Sequence, residues 1–161
     1  MFNQRAEFYL KIIFLFSFIA LISAFFIEYI LGHQPCNLCL IERIPYGLSI
    51  MIIMAIFLIR KNQKFLVMLL ILTFIFSFAI SFYHFGIEQG FFQESSVCGV
   101  KSSTEIVTKE DLLKQLSEKT ISCKDVTFRI FGLSLTSINI VISLLFIITL
   151  LKIFKKYEKN K

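Results

Sequence analysis

Pro35-Cys36-Asn37-Leu38-Cys39-Leu40-Ile41-Glu42-Arg43 stands where one apolar run of the chain has ended and the next begins. Two cysteines separated by two residues share this boundary with an arginine one helical turn further on. If a helix starts near Cys36, Cys39 and Arg43 are four apart and lie on one face. Pro35 suits a helix start, where its missing N–H removes no hydrogen bond. Unpaired N–H groups and the positive end of the helix dipole stabilise a thiolate there. A guanidinium stays charged at any working pH and stabilises a thiolate or a bound anionic acceptor. A two-residue spacer gains little from loop entropy, so this pair reads as exchangeable rather than as a staple.

The chain around this segment is a membrane protein by composition. It has 161 residues, 20 of them phenylalanine, and a mean hydropathy of +0.77. Apolar stretches approaching or exceeding the roughly 18 residues of a membrane helix occur at about 12–31, 44–59, 65–85 and 130–151. The expected fold is an all-α four-transmembrane-helix bundle, one integral membrane domain over 1–161 with no repeat or linker. Its outer loops span about 32–43 and 86–129. The first run follows Arg5 and Lys11 as a signal peptide would. It outlasts an ordinary 7–15-residue signal core, however, and no small-residue cleavage site follows, so it reads as a retained helix.

Lysine and arginine set the orientation. Arg5, Lys11, Arg60, Lys61, Lys64, Lys152, Lys155, Lys156, Lys159 and Lys161 all fall on one side of a four-span protein. By the positive-inside rule that side, with both termini, is cytoplasmic. The net charge of +6 is therefore a topology signal, and no nucleic-acid partner is expected. Cys36, Cys39, Cys98 and Cys123 then all face outward, where disulfides persist. Cys36–Cys39 with Cys98–Cys123 is the natural resting pairing of the three possible. The second pair closes a loop worth roughly 3 kcal/mol in the chain-entropy model, which suits a structural bond. Its polar loop equally suits exchange with the first pair. Zinc sites use two close ligand pairs and need thiolates, so no metal is expected.

Other residues carry weaker signals. His84 closes the third span beside Tyr83, Glu88 and Gln89, as an interfacial anchor or as a group that bonds a quinone oxygen. Glu42 reads as the partner of Arg43, and His33 as a loop residue. Glu28, late in the first span, must face the bundle interior or reach the interface. Thr108-Lys109-Glu110-Asp111 caps a short amphipathic helix at about 109–119, with Leu112, Leu113 and Leu116 on one face. That face lies on the membrane or packs on its own loop. Gly90-Phe91-Phe92 is a second candidate membrane contact.

Gln34-Pro35-Cys36-Asn37-Leu38-Cys39, then Glu42-Arg43 and Pro45-Tyr46-Gly47, form one signature. Tyr83-His84-Phe85-Gly86-Ile87-Glu88-Gln89-Gly90, with Cys98 and Cys123 beyond it, forms another. On these residues nearly the whole chain resembles the bacterial disulfide bond formation protein B (DsbB) family. The resemblance implies a membrane oxidoreductase of the bacterial inner membrane. Such an enzyme re-oxidises a periplasmic DsbA-like thioredoxin-fold oxidase and passes the electrons to membrane quinone, ubiquinone or menaquinone. It implies Cys36 and Cys39 as the quinone-coupled pair, Cys39 being the thiolate at the quinone. Cys98 would take the mixed disulfide with the partner, and Cys123 would be its mate. Arg43, His84 and Gln89 would bind the quinone. The chain has no tryptophan, which relatives often carry near these sites. A vitamin K epoxide reductase-like enzyme places its quinone-reactive pair near the last span, not the second. The non-enzymatic alternative is a tetraspan protein with two stapling disulfides.

Overall fold

The computed structural model describes residues 4–59, 62–93, 98, 123, 129–130 and 133–159. Four helices make up nearly all of this: α1 (Gln4–Tyr29), α2 (Asn37–Leu58), α3 (Gln63–Glu88) and α4 (Leu135–Lys159). Each is long and apolar enough to cross a membrane. At 1.5 Å per residue the 26 residues of α1 reach about 39 Å, against about 30 Å of bilayer hydrocarbon. The protein is an all-α, multi-pass membrane bundle. Two two-residue strands, β1 (Arg129–Ile130) and β2 (Leu133–Ser134), pair antiparallel just before α4. The amphipathic helix expected at 109–119 lies outside the described residues, as do Arg60 and Lys61.

The exposed surface is apolar. Phe8, Leu15, Phe18, Ile22 and Phe25 of α1 all point outward, as do Met51, Leu72, Phe76 and Leu145 on the other helices. In water such a surface would aggregate; in a bilayer it is the solvent-facing side. Since lipid gives no hydrophobic reward for helix association, packing and small polar contacts must supply it. α1 buries a narrow stripe, Leu10, Ile13 and Ser17, at helical spacing. Ser17 meets Ser49 of α2 at 2.9 Å, and Ser77 of α3 meets Ser143 of α4 at 3.1 Å. α3 packs on α4 and α2, and α1 mainly on α2. Tyr46, Phe74 and Phe146 form an edge-to-face aromatic chain through the middle, with Phe74 and Phe146 centroids 5.0 Å apart.

The helices outrun the apolar stretches at the cysteine end. α2 begins at Asn37, well before the apolar run near 44, because Cys36 caps it. Its backbone is extended and its sulfur accepts the Cys39 N–H at 3.2 Å. Pro45, near the start of the apolar run at 44–59, lies buried inside α2. Its ring leaves the Ile41 carbonyl without the usual helical donor. α3 runs to Glu88 and stops in a Schellman turn. There Phe91 N–H donates to Gly86 O at 2.8 Å and Gly90 N–H to Ile87 O at 3.0 Å. Gly90 has φ +77, and a Cβ on Gly86 would lie 2.1 Å from the Phe92 ring. Phe92 thereby stacks on Tyr83, centroids 5.7 Å apart, while Phe91 stays exposed.

Gly90→Ala forces an L side chain into the left-handed region, at a cost of about 1 kcal/mol. A correspondingly lower unfolding midpoint in detergent is expected, and an unchanged midpoint would mean that the turn does not hold α3.

Candidate functional site

All four sulfurs gather at one end of the bundle, where α1 and α3 end and α2 and α4 begin. Cys36 is bonded to Cys39 and Cys98 to Cys123. Cys36, Leu38, Ile87, Cys98 and Cys123 form one buried cluster, with Cys39, Ile41 and Tyr83 packed against it. Cys98 is 1% exposed and Cys123 2%. The two couples thus share one buried cluster.

The two sulfurs of the first couple have different surroundings. Cys36 is buried toward α3, where its Sγ lies 3.6 Å from His84 Nε2. Cys39 is half-buried and lines a cavity of about 270 Å³ between α1, α2 and α4. Ala20, Ala24 and Ile27 of α1 and Ile142 of α4 make its walls apolar, while Glu42, Arg43 and Asn139 bring polar groups to it. His33, read from sequence as a loop residue, also lines this cavity.

Arg43 does not pair with Glu42, as the sequence led us to expect. Its guanidinium donates to Glu28 of α1 and lies over the Phe25 ring, 5.4 Å from the centroid. This pairing accounts for a carboxylate late in the first span: both groups are about four-fifths buried, and neither would be tolerated there alone. A guanidinium has five donors, so one carboxylate contact leaves others for a second acceptor.

Glu42 turns the other way. One oxygen is 2.9 Å from His84 Nδ1, and the other accepts from Asn139 Nδ2 at 3.1 Å. Asn139 also donates to Ser81 at 2.7 Å and accepts from Tyr46 OH. Thr136 Oγ1 lies 3.3 Å from His84 Nδ1 and donates to Glu88 at 2.7 Å. His84, 3% exposed, is thus held by groups from α2, α3 and α4. It touches Cys36 and does not line the cavity with Cys39 and Arg43. Gln89 is exposed at the end of α3 and is not brought to the cavity.

Cys36, Cys39 and His84 offer ligand atoms within 4.8 Å of one another, soft donors of the kind zinc prefers. The two sulfurs are bonded to each other here, and a disulfide offers no thiolate.

A family model described as disulfide bond formation protein DsbB matches residues 6–153. The chain belongs to the DsbB family. It is a membrane protein of disulfide formation, with the redox-active character of a thiol oxidoreductase that membership carries. It is also 32% identical over 147 residues to the uncharacterized protein RP370 of Rickettsia prowazekii (strain Madrid E). That match covers 90% of this chain and 86% of the relative.

Thr136, Asn139 and Ser143 escaped the sequence reading, although their spacing marks one polar stripe on an apolar helix. Asn139→Leu removes partners from Tyr46, Ser81 and Glu42 at once. Membrane hydrogen bonds are individually modest, but orphaned polar groups in a bundle are not, so a loss of about 1–3 kcal/mol is expected. Reversible unfolding in detergent measures it, and stability equal to wild type would remove Asn139 as the link between helices.

Proposed function

We propose that this protein re-oxidises a periplasmic thioredoxin-fold thiol oxidase of the DsbA type and delivers the electrons to membrane quinone. The observation that carries the reading is the split environment of the Cys36–Cys39 bond. Cys36 is buried in the cluster with the Cys98–Cys123 couple, while Cys39 packs at the edge of that cluster and lines a cavity built from apolar helix faces. A disulfide so placed connects a protein redox couple to a lipid-soluble one.

The cavity suits a quinone in its donor set. Its walls offer apolar contact for a ring, and Arg43 has donors for a quinone oxygen. Bound there, ubiquinone or menaquinone would take up two electrons and two protons. The protein's own part is positioning and charge. Cys98 receives the thiolate of the partner, and its bond to Cys123 opens. The partner's second thiol closes the partner's own disulfide and releases Cys98, and the Cys98/Cys123 dithiol then reduces Cys36–Cys39 by exchange within the shared cluster. Cys39 is then released as a thiolate one helical turn from Arg43, whose charge favours it.

The distribution of charge supports one orientation in the membrane. Arg5, Lys11, Lys64, Lys152, Lys155 and Lys156 lie toward the end of the bundle remote from the cysteines. With that end cytoplasmic, the sulfurs are periplasmic and the bundle sits in the bacterial inner membrane.

Quinone reduction by purified protein supplied with a reduced thioredoxin-fold dithiol is the direct test. Cys39→Ala and Cys98→Ala should each fall to the uncatalysed background, and wild-type turnover in both would dispose of the reading. Arg43→Ala, compared in a Glu28→Gln background so that no carboxylate is orphaned, should raise the apparent KM for quinone about tenfold. That is the worth of one charge-assisted hydrogen bond. The thiol-exchange rate should stay unchanged, and normal quinone kinetics would take Arg43 out of the site.

A further inference from the structure

His84 sits on the wrong side of the Cys36–Cys39 bond for a residue that serves only the cavity. Its Nε2 faces Cys36 Sγ at 3.6 Å, and Cys36 packs in one buried cluster with both members of the other couple. Its Nδ1 lies 2.9 Å from a Glu42 oxygen. A carboxylate only accepts, so Nδ1 carries the proton, and in the neutral ring Nε2 is left with a lone pair beside the sulfur. Carboxylate, imidazole and Cys36 thus stand in line, and a proton held on Nε2 passes to this sulfur when it leaves.

We propose that His84, oriented by Glu42, is the acid–base catalyst of exchange between the two cysteine couples. The inference rests on the thiol-to-quinone reading above and adds the fate of the proton. In the first step the Cys123 sulfur attacks Cys36. The Cys123–Cys36 bond forms, the Cys36–Cys39 bond breaks, the Cys123 thiol proton moves to His84 Nε2, and Cys39 leaves as a thiolate. In the second step Cys98, having lost its proton to solvent, attacks Cys123. The Cys98–Cys123 bond forms, and Cys36 departs and takes the proton back from His84. Two electrons have moved from the outer couple to the inner one. One proton is on Cys36, one is in solvent, and one negative charge rests on Cys39.

The surroundings of the ring fit a group that holds a proton for part of a cycle. From α2 it faces Glu42, and from α3 it faces Glu88, whose Oε1 is 3.9 Å from Nε2. From α4 it faces the hydroxyl of Thr136. Glu88 is 6% exposed, and its second oxygen has no hydrogen-bond partner among the described residues. Two carboxylates beside a buried imidazole offset the positive charge it gains in the first step. Leu38, Ile87 and Tyr83 pack the cluster around Cys36.

The test times the two bonds separately. Fully reduced protein in detergent is mixed with ubiquinone-1, quenched in acid, alkylated, and mapped by mass spectrometry at several pH values. In wild type the Cys36–Cys39 bond forms first and the Cys98–Cys123 bond follows. In His84→Gln the second bond should form about 30-fold more slowly than in wild type at pH 7, where about one in 30 thiols of ordinary pKa is ionised. Its rate should then climb about tenfold per pH unit toward the ordinary thiol pKa of about 8.5, rejoining wild type once the attacking thiol ionises unaided. Glu42→Gln should show the same pattern in weaker form. A variant slow at every pH has lost packing rather than a base, and that result overturns the proposal. So does a wild-type rate for the second bond, and so does slowing confined to the first bond, which would return His84 to the quinone. If wild type forms neither bond with ubiquinone-1, the quinone-linked reading itself has failed and the proposal falls with it.

Discussion

The hydrogen bond between Glu42 and His84 is the constraint from which the cysteine end of this bundle is built. Lipid offers no water to a carboxylate, so each Glu42 oxygen needs a donor from the protein. One comes from α3 through His84 and the other from α4 through Asn139. Three helices are thereby fixed at one level along their axes. Cys36 falls against the His84 ring as a result, and Arg43, the next residue along α2, is left to face α1 and Glu28. A slip of one residue in α2 would exchange those neighbours. The core of Ile53, Leu70, Phe74 and Leu150 tolerates the alignment but has no feature that would select it.

One helix start consequently serves both sides of the redox path. Cys36 caps α2 with its own sulfur and turns inward, while Cys39, three residues on, reaches the cavity. The bond between them is short in sequence yet joins two environments of different polarity. This asymmetry suits a couple whose two sulfurs have different tasks, one exchanging with protein thiols and the other losing electrons.

The sequence was legible where the physics is local. Pro35 before a C-x-x-C placed the helix start within a residue or two, because capping is decided by adjacent residues. Gly86 and Gly90 close α3 in an equally local turn, which the apolar run ending near 85 did not foretell. The long apolar runs gave four membrane helices, because a bilayer imposes length. Partner choice was not legible in the same way. Nothing in Glu42-Arg43 says that the acid looks to α3 and the base to α1, since both assignments depend on how the helices rotate after they meet. Glu28 was ambiguous for the same reason, and so was His84, read as an interfacial anchor or as a group at a quinone oxygen and found beside a sulfur. The polar stripe of Thr136, Asn139 and Ser143 was present in the pattern and would have pointed to α4 as the third wall.

Burial of the outer couple has a bearing on what this protein ignores. Small thiols diffusing past the bundle meet neither Cys98 nor Cys123, whose sulfurs lie under packed apolar groups. A reductant must therefore disturb that packing before any electron moves, and only a binding surface large enough to compensate can do so. Discrimination against glutathione-sized molecules then becomes a matter of contact area, independent of how strongly reducing they are.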